Sequence, residues 1–356
     1  MFVQFFNQKP LGGAALLFDE LIITIMKAVN KERTISSPYH LLKGKKSGQT
    51  LQDIGYYNLY PFFAVLPRID KQIYDRSVQG LFAKGLLLPN DQVIELSEKA
   101  WLLQVPKTPL NGWKYRGKEM IFLSRLSLIV QTFSHISQDI KIFDPVTNAE
   151  DVQSWVKKYL MEINFRNPAV INAFRQELAE SIESLNVSDP HKMVLMQRLS
   201  GYGLSGLTWE QIADAHGLQI LDVQLMNIEI LHAWMALLEY KTYPLLFVLM
   251  DGIIQQSSLT ETAQRTEKLF LAGHSLEEIA AMRGLKTSTI EDHFVELAMN
   301  DPHFNYSAFI KDEAYRNIVA VSKKHQTKRL RDIKEKLPDL SYFQIRLALA
   351  LKEEAN

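Results

Sequence analysis

Apolar positions recur at helical spacing along most of the chain, and one stretch carries the pattern most completely. From His274 to Ala298 the chain reads His-Ser-Leu-Glu-Glu-Ile-Ala-Ala-Met-Arg-Gly-Leu-Lys-Thr-Ser-Thr-Ile-Glu-Asp-His-Phe-Val-Glu-Leu-Ala. Ser275, followed three residues later by Glu278, has the form of a capping box, in which hydroxyl and carboxylate each satisfy a free N–H at a helix start. A helix is predicted from Leu276, burying Leu276, Ile279 and Ala280. Gly284 stops it, because glycine tolerates positive φ. Leu285 fills the corner. Ser288 and Glu291 repeat the capping pattern and predict a second helix that buries Ile290, Phe294 and Leu297. Two short helices about a glycine turn make a helix-turn-helix.

The pattern has an echo 67 residues upstream. Residues 207–231 and 274–298 share six of 25 positions, among them Ile212/Ile279, Ala213/Ala280, Gly217/Gly284 and Leu218/Leu285. The turn and its packing require those positions, so convergence explains the match as well as duplication does. Two units are read, too few for a stacked array.

The rest of the chain is placed around these units. An amphipathic helix is predicted over 15–29, then a polar segment over 36–50 that sets Lys43, Lys45 and Lys46 around two glycines. A helix over 68–84 ends at Gly85. Leu86-Leu-Leu, the turn Pro89-Asn90-Asp91 and Val93-Ile-Glu-Leu predict a β-hairpin. Helices followed by a hairpin suggest a winged helix, with Lys71 and Arg76 on its recognition helix. Further helices are predicted over 118–135, 149–163, 168–185 and 190–199. The second helix of the upstream unit runs on to about Leu238, and Ser257-Ser258 forms a joint before helices at 306–322 and 341–353. The fold class is mainly α and multi-domain. Residues 1–145 are read as a winged-helix-like region with a linking helix, 146–256 as a helical domain with the first helix-turn-helix, and 257–356 as the domain of the second.

Composition changes this picture in two respects. Forty basic residues balance forty acidic ones. A neutral chain is not a general polyanion binder, so charge has to be sought in local clusters. Absence of cysteine excludes disulfides and thiolate chemistry and fits a reducing compartment. The N-terminus lacks the basic-then-apolar order of a signal peptide, and the apolar run Pro244–Met250 is too short to cross a bilayer. A cytoplasmic protein without membrane contact is expected.

No catalytic constellation is evident. Gly44-Lys45-Lys46-Ser47 lacks the preceding glycine of a phosphate-binding loop and does not run directly Gly-Lys-Ser/Thr, and Gly203-Leu-Ser-Gly is not a nucleophile elbow. The nine histidines are not paired at i, i+3 or i+4 as a helical metal site requires. No enzyme activity, cofactor, metal or small-molecule substrate is expected.

Nucleic-acid binding is the chemistry left. The N-terminal residues of a second helix face base edges in a DNA-reading helix-turn-helix, here Lys286, Thr287, Ser288, Thr289 and His293. Residues 274–298 nevertheless carry two basic residues against five acidic ones, a net of −3. Phosphates are repelled by such a surface, so Glu291, Asp292 and Glu296 are assigned to a protein partner. The upstream unit offers Ile220, Leu221, Val223 and Leu225 with Asp222, a composition that means burial. Basic residues cluster in Ser322–Lys336, where Lys323, Lys324, Lys328, Arg329, Arg331, Lys334 and Lys336 oppose Asp332 and Glu335, a net of +5.

Residues 260–353 resemble the helix-turn-helix domain at the C-terminus of many RecQ-family helicases, through Ser275–Leu297 and Leu340-Ser-Tyr-Phe-Gln-Ile-Arg-Leu-Ala-Leu-Ala. Residues 175–218 are similar to region four of bacterial sigma factors, through Leu199-Ser-Gly-Tyr-Gly-Leu-Ser-Gly-Leu-Thr-Trp-Glu-Gln-Ile-Ala. The whole order resembles the YpbB-type bacterial helix-turn-helix proteins, a family associated with a separate RecQ-like helicase. The resemblance implies a non-enzymatic accessory in DNA repair or recombination, with a RecQ-like DNA helicase as partner. DNA contact through the basic patches is expected to be weak and indifferent to sequence. The alternatives are a sequence-specific transcription regulator and a pure protein adaptor.

Overall fold

The computed structural model describes residues 17–90, 93–254, 259–301 and 303–351. The expected joint at 257–258, the hairpin tip at 91, and the outer ends of the first and last predicted helices lie outside the described residues.

Helices account for nearly all regular structure. They begin with α1 (Phe18–Ala28), α2 (Ser37–Lys43), α3 (Gly48–Tyr56), α4 (Lys71–Ala83) and α5 (Glu98–Leu102). A middle group holds α6 (Gly112–Tyr115), α7 (Glu119–Ile136), α8 (Glu150–Glu162), α9 (Pro168–Glu183) and α10 (Asp189–Arg198). The upstream motif is α11 (Trp209–His216) and α12 (Ile220–Leu237), followed by α13 (Pro244–Phe247). The downstream motif is α15 (Leu276–Arg283) and α16 (Thr287–Asn300), preceded by α14 (Glu261–Leu271) and followed by α17 (Asp312–His325), α18 (Leu330–Lys336) and α19 (Tyr342–Ala350).

Two features depart from the sequence pattern. The polar segment 36–50 is largely helical: Pro38 stands in the first turn of α2, where its missing N–H costs nothing, and the Ser47 hydroxyl accepts from the Thr50 N–H to start α3. The predicted β-hairpin does not form as strands. Leu87 and Leu96 make one isolated bridge and Thr34 and Val93 another, and no β-strand occurs among the described residues. Leu88 donates to Glu95 O (2.8 Å) and Ser97 to Leu86 O (3.0 Å), so the segment folds back without extending a ladder. A winged helix with a β-hairpin is therefore not supported, and with it goes the recognition-helix role expected for α4.

The described residues form two compact units, one within 17–24 and 103–254, the other within 25–102 and 259–351. The first has its core around Phe122, Phe133, Phe174 and Trp234, all fully or nearly buried. Trp234 meets Phe122 edge-on (centroids 5.4 Å apart) and donates its indole N–H to Ser181 Oγ at 3.0 Å. Helix α12 is long and apolar enough to cross a membrane by length and composition alone, but 67% of it is buried inside this unit. That is the state of a core helix.

The second unit has a core of Ile279, Ile290, Phe294, Leu297, Ile318 and Ile345. Phe294 packs against Phe270 (4.9 Å) and Phe309 (4.7 Å). Tyr56, from the N-terminal segment, belongs to the same core and donates its hydroxyl to Arg346 O at 2.8 Å. Residues 25–102 are thus joined to the C-terminal helix-turn-helix in one body.

Candidate nucleic-acid interface

The downstream motif forms as its capping pattern predicts at the first helix. Ser275 N–H donates to Glu278 Oε2 (2.8 Å) and Glu278 N–H to Ser275 Oγ (3.2 Å). Gly284 takes φ 60°, and Leu285 N–H closes the turn on Ala280 O at 3.0 Å. The second capping box is absent. Lys286 occupies the N-cap of α16 without a side-chain bond, so the helix begins one residue before Ser288.

That start determines what α16 presents. Lys286, Thr287 and Ser288 are exposed and Thr289 is half-buried. From Ile290 onward the helix turns into the core. His293 is among the buried residues, with Thr266 Oγ1 2.8 Å from its Nδ1. Arg283 donates to the Thr266 hydroxyl oxygen, which leaves the hydroxyl proton to point at Nδ1. Burial, reinforced by the Arg283 charge and opposed by Asp292, lowers the His293 pKa to about 4. His293 is therefore a neutral core group and makes no base contact.

The acidic residues assigned to a partner are engaged within the unit. Arg346 holds Asp292 at 2.5 Å and Glu291 at 3.3 Å. Burial raises the Glu291 pKa, with Arg346 pulling the other way and Asp292 adding to the rise. Glu296 is 3% exposed and accepts from both the N–H and the hydroxyl of Thr260, the N-cap of α14. Three of the five charges behind the net of −3 thus have internal work, and the repulsion expected at α16 is much reduced.

The basic candidates separate in the same way. Lys328 is tethered: its ammonium donates to Tyr56 O, its N–H to Glu32 Oε2 (3.1 Å), and it lies over the Tyr57 ring. Lys334 closes the end of α18 by donating to Pro338 O and Leu340 O. Arg329 and Arg331 are exposed and paired with Asp332 (3.9 Å) and Glu335 (3.1 Å). Lys323 and Lys324 are exposed at the end of α17.

Lys43, Lys45 and Lys46 are all exposed, and the structure adds Lys71 to them. Lys43 and Lys71 lie 5.4 Å and 5.3 Å from the centre of the same Tyr39 ring. The His40 pKa is lowered by burial first, then by Lys45, Lys71 and Lys43. Lys71 is also paired with Asp75 one turn on, and Arg76 is exposed on the same helix.

Sequence reasoning missed Arg346, which neutralises the acidic turn. Among the described residues no group of three or more His, Asp or Glu side chains could hold a metal ion.

This is the geometry of a helix-turn-helix protein, and residues 262–349 match the family model described as a helix-turn-helix domain. Through most of its length the chain is also similar to Protein YpbB of Bacillus subtilis (strain 168). The two are 28% identical over 353 residues, 93% of this chain and 96% of that one. No solved structure matches the chain.

Proposed function

We propose that this chain is a non-enzymatic DNA-binding protein that contacts duplex DNA with the first turn of α16 and works beside a RecQ-like DNA helicase. The observation that carries the DNA half is the exposed turn Lys286-Thr287-Ser288, whose acidic neighbours Glu291 and Asp292 are held by Arg346. A lysine and two hydroxyls at a helix N-terminus are groups that donate to phosphates and base edges. Lys323 and Lys324 offer further phosphate contacts. With so few cations, binding is weak, falls with salt by a slope of about 0.9 for each contact and is indifferent to sequence.

The helicase half rests on the resemblance of residues 260–353 to the helicase-associated domain. It draws no support from Glu291, Asp292 and Glu296, since their internal bonds remove the acidic docking surface that a pure adaptor would use. Titration of unrelated duplexes at several salt concentrations tests the first half, and weaker binding with a salt slope shallower by about one contact, near 0.9, in Lys286→Glu is the expected result. Strong preference for one sequence would favour a transcription regulator. Co-purification of a RecQ-like helicase with the native protein tests the second half.

A further inference from the structure

Helices α3 and α16 approach closely because α3 presents glycine to α16 twice. A Cβ on Gly48 would stand 2.7 Å from the Asp292 carboxylate, and one on Gly55 would stand 2.6 Å from Met299 Cε. Gly48 and Gly55 are seven residues apart, and so are Asp292 and Met299. A spacing of seven keeps each pair on one helix face. The two pairs meet in the same order along both helices, so α3 and α16 lie side by side and parallel. N-terminal to Gly48 come Ser47, Lys46 and Lys45; N-terminal to Asp292 come Ser288, Thr287 and Lys286. Both groups therefore lie toward the same, N-terminal end of the packed pair.

The loop beside α16 is electropositive. Lys45, Lys71 and Lys43 all push the His40 pKa down, in addition to burial. A cleft of about 260 Å³ opens between α2 and α3, lined by Thr34, Ser36, His40, Lys45, Ser47 and Gln49 among others. The carboxylate in that cleft, Asp53, is neutralised by Arg33 at 2.7 Å. Hydroxyls, an amide and Lys45, with the cleft's carboxylate already paired, suit a phosphate.

We infer that the α2–α3 lysine loop binds the phosphodiester backbone of the same duplex that the first turn of α16 contacts, so the DNA face is built from both ends of the chain. The inference rests on the helix-turn-helix reading above and adds a second, sequence-distant contact to it.

The test uses the full chain with Lys43→Gln, Lys45→Gln and Lys46→Gln combined, titrated against unrelated duplexes by fluorescence anisotropy at several salt concentrations. The expected result is a slope of log K against log salt shallower by about 2–3, near 0.9 for each lost contact, and at least ~10-fold weaker binding at low salt. An unchanged slope with wild-type affinity overturns the inference and leaves the α16 reading standing. Absence of duplex binding by the wild-type chain overturns both. Inorganic phosphate is titrated as a separate arm. Saturable phosphate binding lost in the triple variant, with duplex binding untouched, would make the loop a free-anion site and overturn the shared DNA face. Gly48→Val supplies an uncharged second variant: it should weaken duplex binding by pushing the loop from α16 while leaving every lysine in place. Full wild-type affinity in a folded Gly48→Val protein counts against the juxtaposition.

Discussion

The two helix-turn-helix units share a scaffold and differ in what they leave outside it. Upstream, Thr208 and Gln211 form the capping box (2.8 and 3.2 Å), Gly217 takes φ 65°, and Leu218 N–H bonds Ala213 O at 3.0 Å. Downstream, Ser275, Glu278, Gly284, Leu285 and Ala280 repeat each of those contacts at nearly the same distances. Ile212 and Ile279 are both completely buried. The second helices then diverge. In α12 the positions after Ile220 go into the core almost without interruption, and even Asp222 is buried, accepting from Phe18 N–H at 2.8 Å. In α16 the first turn stays in water and only the remainder is buried. One motif is spent as a structural corner; the other keeps the surface that recognition needs.

A charge in the shared scaffold should have the largest effect. Ile212→Asp and Ile279→Asp each place a carboxylate in a closed apolar site without a partner, at a cost of about 4 kcal/mol or more. Urea denaturation followed by circular dichroism, with limited proteolysis to locate the damage, should show each variant losing its own unit. Tolerance of one substitution but not the other would show that the two scaffolds are not equivalent.

Acid should separate the units at His293, where the upstream motif has Met226. The folded-state pKa of His293, about 4, lies below the ordinary imidazole value near 6.5. The unfolded chain therefore binds a proton that the folded chain refuses. Stability is intact above about pH 6.5 and is lost progressively as pH falls to about 4, by ~3 kcal/mol at most. Chemical denaturation across that window should show the slope in the wild type and its reduction in His293→Met. An unchanged slope would mean that another group carries the acid sensitivity.

How much of this was legible depended on whether a residue's partner lies nearby in sequence. Capping boxes, turn glycines and the apolar stripes of α11, α12, α15 and α16 act over three to seven residues and could be read directly. Burial of α12 was legible from its apolar residues on every face. Glu296 was not. It is identical to Glu229 in the upstream unit, but identity did not say why. Each is buried in its second helix and fixes the start of the helix before the motif: Glu296 bonds Thr260, and Glu229 sits 2.9 Å from His191, itself 2.8 Å from the α10 cap Ser188. Arg346 reaches Glu291 across 55 positions and Lys328 reaches Tyr56 across 272. Such pairings have no local signature. The hairpin failed for the opposite reason: its local pattern was right for a fold-back, but too few residues pair to make strands.

The shared glutamate gives the next contrast. Glu296→Ala removes the acceptor of the half-buried Thr260 N–H and one of the partners of its hydroxyl, worth about 1–2 kcal/mol. Glu229→Ala removes the partner of a buried histidine and should cost a similar amount. Denaturation midpoints of both variants check this. If Glu296→Ala instead left stability unchanged, the carboxylate would be free for another role, and the partner-binding assignment would return.

The smallest expected effect bears most directly on function, because it compares the residues that begin the two second helices. Lys286 and Gln219 are the corresponding N-caps, both exposed, with backbone angles that nearly coincide. Removing one phosphate contact should lower the salt slope by about 0.9 and weaken duplex binding a few-fold, well under 2 kcal/mol. Lys286→Gln should do this without altering the melting temperature, since the lysine makes no side-chain cap. The reciprocal Gln219→Lys should gain nothing, because the helix behind it is buried from Leu221 onward and offers the duplex no following turn. Anisotropy titrations of the two variants beside the wild type measure both slopes. Gain of affinity in Gln219→Lys would show that the upstream unit also lies against DNA, and the division between a structural and a recognising motif would have to be given up.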